Sequence, residues 1–410
     1  MKFNIRHIVF LLAILLLFVS ISFTSVLKET ENISGVLLTK QTTFEAGNNI
    51  KLVFKLNIPA RTDLLLHSSY GSTMIAPDNF NTGQFTIPEF ISYKKGVVTY
   101  TLFHDTKVLT QGSICVTSNE KTKVHLESYI GPPSIIAGGK DYTMQVVLPT
   151  DSYDNPMPDS TAVLMKHQFL SIEKERMIYS KDMIGWINIF SYKPSGRLLL
   201  FSKVGNTVSK EFTVDVFPDL PENFTILPQR RHTYADGNQI TKFITSIIKD
   251  EHGNIISDGT LVDFVIKDTS GALLRTQGTT ISGQAIAKML HPDHEETWKV
   301  KAYVHGMAES DTLEVRYTRV IEDFDVQFRE DNREITIGPL MSFMEQLIPD
   351  GAIVKVNVSK EGKKLDILVK TSSKGLVKFL LQEGFYPSGT YDIDIEALGV
   401  RKTYKNIALQ

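Results

Sequence analysis

One strand opening recurs along the chain at nearly fixed intervals, and that recurrence limits the possible folds more than any other feature. "DGTLVDFVIKDTSGALLRTQGTTISGQAIAKM" runs from Asp258 to Met289, and "DGAIVKVNVSKEGKKLDILVKTSSKGLVKFLL" runs from Asp350 to Leu381 in the same rhythm. Anchored on the residue that opens the strand, the pattern occurs at Thr62, Thr161, Thr260 and Ala352, with separations of 99, 99 and 92 residues. A glycine opens another strand after each anchor: Gly96, Gly185, Gly283 and Gly375. The anchor-to-glycine distances are 34, 24, 23 and 23, so the first unit is expected to carry an inserted loop. Internal periodicity on this scale signals a tandem array.

Side chains alternate in the same register. Two and four residues past the anchors lie Leu64 and Leu66, Val163 and Met165, Val262 and Phe264, Val354 and Val356, while Lys166, Asp263 and Lys355 fall between. "TWKVKAYV" sets Trp298, Val300, Ala302 and Val304 against Lys299 and Lys301. A period of two places one strand face in a core and the other in water. About seven short strands per repeat, separated by Gly, Pro, Asn and Asp turns, predict an antiparallel β-sandwich. Helical periodicity is nearly absent; "GPLMSFMEQLI" from Gly338 is one weak candidate turn. The expected organisation is all-β: a tandem array of four immunoglobulin-like sandwiches, residues 29–118, 119–219, 220–318 and 319–410, after an N-terminal hydrophobic helix. "VFPDLPEN" is the clearest linker, because its two prolines stop strands from continuing.

The start of the chain reads differently. Lys2 and Arg6 precede an uncharged, mostly apolar stretch from Ile8 to Leu27. Residues 1–28 fit a signal-anchor or a signal peptide, and the length of 8–27 favours a membrane anchor with the remainder exported. The net charge of −2 speaks against a nucleic-acid partner. Cys115 is the one cysteine, so no intramolecular disulfide forms, and its apolar strand setting predicts an inert, buried thiol.

The third unit resembles a known family. "ADGNQITKFITSIIKDEHGNIISDGTLVDFVI", then "TTISGQAIAKML" and "TWKVKAYVHG", is similar to the invasin and intimin type of bacterial immunoglobulin-like domain. Ala235-Asp236-Gly237 leads the first strand, Asp250 with Gly253-Asn254 marks a hairpin, and Gly283-x-Ala285 opens a strand. The resemblance covers residues 220–318 best and weakens in the other three units, the first two of which are also compatible with a macroglobulin-like sandwich. It implies a surface or envelope rod of stacked domains. Within these residues neither a barrel ahead of the units nor a lectin-like tip after them is expected, which departs from that family's pattern.

Candidate chemistry is sparse. "DSYDNPMPD" offers Asp151, Asp154, Asn155 and Asp159 as oxygen ligands for calcium, although a hairpin turn rich in Asp, Asn and Pro explains the cluster without an ion. "HPDHEE" from His291 and "QRRHTY" from Gln229 read as solvated segments rather than a zinc or anion site. No nucleophile elbow, phosphate loop, zinc-protease helix or cysteine pair occurs, so no enzyme and no cofactor are expected. Tyr70, Phe80 and Phe85 in "HSSYGSTMIAPDNFNTGQF" are the candidate ligand-binding aromatics of the first unit. The expected role is non-catalytic: an exported, membrane-anchored rod that meets a protein or polysaccharide of the envelope or a surface. A carbohydrate-binding module array, or a subunit of a surface export or assembly complex, are the alternatives.

Overall fold

The computed structural model describes residue 9 and residues 33–79, 82–342 and 344–410. The anchor expected at residues 8–27 lies outside the described residues, apart from Val9. Among the described residues no helix is long and apolar enough to cross a membrane. The fold is all-β, a tandem array of immunoglobulin-like sandwiches, with a short helix, Glu89–Ser92, between strands of the first.

Alternating strands build each core from the residues the sequence pattern selects. The first runs from Phe44 to Val116 around Leu52, Leu64, Leu66 and Leu102. The second comprises two adjoining clusters, one around Leu198 and Leu200, the other around Val163 and Met165. The third is centred on Phe264 and Trp298, and the fourth on Val356 and Ile395. A fully buried side chain of this size contributes roughly 1.5–3 kcal/mol. Trp298 is the largest of them; its indole N–H still finds a partner, donating to Glu296 Oε1 at 2.7 Å.

Each stretch pairs a small sheet with a larger one. In the second, His125–Gly131, Tyr142–Thr150 and Gly185–Phe190 form one layer. Ser134–Ile136, Phe212–Phe217, Gly196–Val204, Ala162–Phe169 and Ile172–Tyr179 form the other. The first strand therefore switches layers, pairing antiparallel through His125–Gly131 and then parallel through Ser134–Ile136. In the third stretch Leu273–Ile281 bridges both layers, pairing with Leu261–Lys267 and, at its end, with Gln284–Leu290. The crossing is tight: a Cβ on Gly278 would lie 2.5 Å from the Ile286 carbonyl oxygen, so only glycine fits.

The first unit is registered differently from the expectation. The strand opened by Gly96 pairs with Asp63–Ser68 and Lys107–Thr117, as the strand opened by Gly196 pairs with Ala162–Phe169 and Phe212–Phe217. Gly96, Gly196 and Gly389 even share one backbone conformation, with φ of 151°, 155° and 157°. The true counterpart of Gly185, Gly283 and Gly375 is Gly83, which precedes the short strand Gln84–Thr86. Its distance from Thr62 is 21 residues, so the unit carries no ten-residue insertion there. Two glycines each open a strand, and spacing alone selected the wrong one.

Candidate junction site

The first two junctions between sandwiches share one recurring polar device. Strand Tyr142–Thr150 ends at Asp151, whose side chain is fully buried and accepts the backbone N–H groups of Tyr153 and Asn155, both at 2.9 Å. Its other oxygen accepts the N–H of Asn119, in the segment leading out of the first core, at 2.8 Å. Asn155 completes the arrangement. Its amide donates to Asp151 and to the Tyr93 carbonyl, while its Oδ1 accepts the Lys95 N–H at 2.7 Å. Burial would raise the Asp151 carboxyl, but the bond from Asn155 and the N–H groups of Asn119, Asn155 and Tyr153 outweigh it and hold it below the ordinary aspartate range. Lys94 and Lys95 add ammonium bonds to the carbonyls of Tyr153 and Pro156, and Tyr93 packs on Tyr153 at 4.7 Å between ring centroids.

The same device recurs 99 residues later. Asp250 accepts the N–H groups of His252, Asn254 and Asp219 at 2.9, 2.8 and 2.8 Å. Asn254 donates to the Lys193 carbonyl and accepts the Ser195 N–H, each at 2.9 Å. The Asp250 carboxyl is held low in the same way: burial opposes, and the bonds from Asn254, Asp219 and His252 prevail. An Asp–x–x–x–Asn loop thus locks itself with the aspartate and reaches back to the preceding sandwich with the asparagine.

The third junction keeps the turn and loses the clasp. Ser342 and Gln346 stand 92 residues beyond Asp250 and Asn254; Ser342 N–H still bonds the Gln346 carbonyl at 2.8 Å. Contact passes instead through Asn238 to the Asp350 carbonyl at 3.3 Å and through Lys355 to Asp293 at 3.5 Å. A cavity of about 210 Å³ opens there, lined by His232, Tyr234, Val320, Met344 and Leu347. His291 is fully buried nearby; its Nδ1 meets the Tyr234 carbonyl at 2.7 Å, and among the described residues its Nε2 has no hydrogen-bond partner. Burial pushes its imidazole below the ordinary range, against the opposing pull of the Tyr234 bond and Asp236.

The other candidate residues disperse. Both oxygens of Asp151 are taken by N–H donors, while Asp154 and Asp159 are exposed, so the Asp151–Asp159 cluster is a clasped turn. Tyr70 is exposed at the hairpin between Asp63–Ser68 and Gly71–Ile75. Phe85, expected at the surface, is fully buried: it pairs with Leu52 and meets the edge of Phe54 at 5.7 Å. Phe80 lies outside the described residues. In "HPDHEE", Asp293 pairs with His294 and Lys355, Glu295 with Arg316 and Glu296 with Trp298, so the acids do not converge. Arg230 lies 4.6 Å above the Tyr317 ring. Cys115 is half-buried rather than sealed in the core.

Sequence reasoning passed over one aromatic surface. The outer face of the small sheet in the second sandwich presents Tyr129, Tyr142, Trp186 and Phe190, all exposed. Tyr129 and Trp186 flank Val146 in one cross-strand row, and Tyr142 stands opposite Phe190 with ring centroids 5.3 Å apart. The signal was present as alternation: Trp186 and Phe190 occupy the positions of "GWINIF" that point away from the core.

No family model matches the chain, and no curated protein matches it. It is similar to solved structures of bacterial immunoglobulin-like adhesins. Invasin, described as a bacterial integrin-binding protein, aligns at TM-score 0.44 and 11% identity over 92% of this chain and 79% of that one. The Escherichia coli adhesin FdeC aligns at TM-score 0.37 and 14% identity, covering 70% and 96%. A tetra-tandem repeat from the extending region of a large adhesion protein aligns at TM-score 0.29 and 10% identity, covering 92% and 99%.

Proposed function

We propose that the chain is a non-catalytic rod with domains at residues 29–118, 119–219, 220–318 and 319–410, exported and held to a membrane through residues 8–27. Its task is to set distance and orientation for contact with a protein or polysaccharide of the envelope or a surface. The supporting observation is the repeated clasp, Asp151 with Asn155 and Asp250 with Asn254, each fixing one sandwich against the one before it. A side-chain-specified joint restricts the bending that domain pairs otherwise show. Pulsed electron–electron distance measurements between spin labels on the first and third sandwiches test the reading. A single narrow distance is expected; a broad distribution in the wild-type chain would count against a rod. Protease digestion of intact and permeabilised cells tests the export half. Protection of everything beyond residue 28 in cells stripped of their outer layers would reject it.

The exposed aromatics Tyr129, Tyr142, Trp186 and Phe190 support a second reading, in which the second sandwich binds polysaccharide. Sugar rings carry an apolar face that stacks on exposed aromatic side chains. Retention of the chain on immobilised envelope polysaccharide, lost in W186A, is the expected result. Equal retention of both proteins would remove this face from consideration.

A further inference from the structure

We propose that Asp219, Glu251 and His252 form a site for one zinc-class divalent transition-metal ion at the second junction. Their ligand atoms all lie within 4.8 Å of one another. Asp219 comes from the proline-flanked linker, and Glu251 and His252 from the loop closed by Asp250 and Asn254. The Asp219 Oδ1 accepts the Leu220 N–H at 2.7 Å, which fixes the carboxylate, and its Oδ2 lies on the same side of Gly138 as the imidazole. His252 Nε2 lies 3.3 Å from Glu251 Oε1, close to the separation of two ligands on one tetrahedral ion. Glu251, 62% exposed, is able to adjust toward an ion, whereas His252 is held against the second sandwich with 16% of its side chain exposed. There it faces Gly138: a Cβ at that position would lie 2.7 Å from Nε2 and 3.8 Å from Asp219 Oδ2.

The first junction supplies an internal comparison. The clasp has the same bonds there, but Asn119, Ser152 and Tyr153 stand where Asp219, Glu251 and His252 stand in the second. Gly47, against Tyr153, takes the place of Gly138. The clasp therefore does not require ligand-type side chains at these three positions, yet the second junction has one at every one of them. The donor set of one imidazole and two carboxylates, with a fourth position open to water, suits zinc or cobalt; calcium takes oxygen ligands alone. This site is independent of the rod reading and involves no chemical step.

Titrating the full chain with zinc by calorimetry, and with cobalt(II) by visible absorption, tests the assignment. One saturable equivalent is expected, with a cobalt spectrum of low coordination number. The variant D219N/E251S/H252Y writes the first junction's residues into the second, and is expected to unfold at the wild-type midpoint while losing the equivalent. If that variant does not fold, H252Q serves in its place, with binding expected to weaken at least roughly tenfold. Absence of a saturable equivalent in the wild type, or unchanged affinity in the folded variant, overturns the proposal.

Discussion

Asn155 donates its side-chain amide to the Tyr93 carbonyl at 2.8 Å, across the boundary between two hydrophobic cores. Asn254 does the same to Lys193 at 2.9 Å. Both asparagines also accept an N–H from the same preceding turn, so each bridges two main-chain groups that its own sandwich does not contain.

Removing these amides is expected to loosen the joints without unfolding the domains. Two neutral hydrogen bonds lost per joint correspond to about 1–2 kcal/mol of coupling. In N155A/N254A the spin-label distance distribution between the first and third sandwiches should broaden, while the thermal midpoint of the cores falls only slightly.

The third joint offers the converse experiment. S342D/Q346N rewrites its turn in the pattern of the first two. The measured distribution between the third and fourth sandwiches is expected to be broad in the wild type and narrower in this variant. An unchanged width would mean that the Asp–x–x–x–Asn loop is not sufficient to make a joint.

Acid should open the clasps late. The Asp151 and Asp250 carboxyls are depressed in the folded state relative to the usual aspartate value of 3.8. Their contribution is therefore complete above that value and lost as pH falls through the lower folded value. Joint rigidity, followed by distance measurements, should hold from neutral pH to about 4 and fail below it. D250N, which cannot accept the same set of N–H donors, should loosen the second joint at every pH.

His291 acts at milder acidity. Its imidazole is depressed below the usual value of 6.5, so the unfolded chain binds its proton first. The stability it lends is complete above 6.5 and declines as pH falls from there through the folded value. Of the charged and titratable groups around it, Asp236 favours the charged form, as does the Tyr234 carbonyl bond, while His232 and Arg230 oppose it. Chemical denaturation of the third sandwich should show this slope in the wild type and a flatter profile in H291Q.

The two tryptophans should respond oppositely. Trp298 is 1% exposed and packs its ring 4.7 Å from Tyr317, so W298A should cost about 3–5 kcal/mol. Trp186 is 54% exposed, and W186A should change stability by no more than about 0.5 kcal/mol. Equilibrium unfolding of both variants checks the contrast.

Much of this was legible in the sequence because period-two alternation reports burial directly. Leu64, Val163, Val262 and Val354 were placed inward by pattern, and all four have no exposed surface. The first unit failed where two glycines competed for one role: Gly96 and Gly83 both precede strands, and only hydrogen-bond register separates them. Phe85 was misplaced because its polar neighbours, Gln84 and Thr86, concealed a strand of only three residues. Asp151 and Asn155 were read as a turn, which they are. Their reach to Tyr93 and Lys95 depends on how two domains sit together, and local sequence does not encode that.

The receiving half of each clasp is bare main chain. Tyr93 and Lys193 offer a carbonyl, Lys95 and Ser195 an N–H, and none of the four uses its side chain for the bond to asparagine. For these asparagine bonds, a duplicated unit would therefore arrive carrying its own connector, whatever side chains stand at the four receiving positions of the unit it follows.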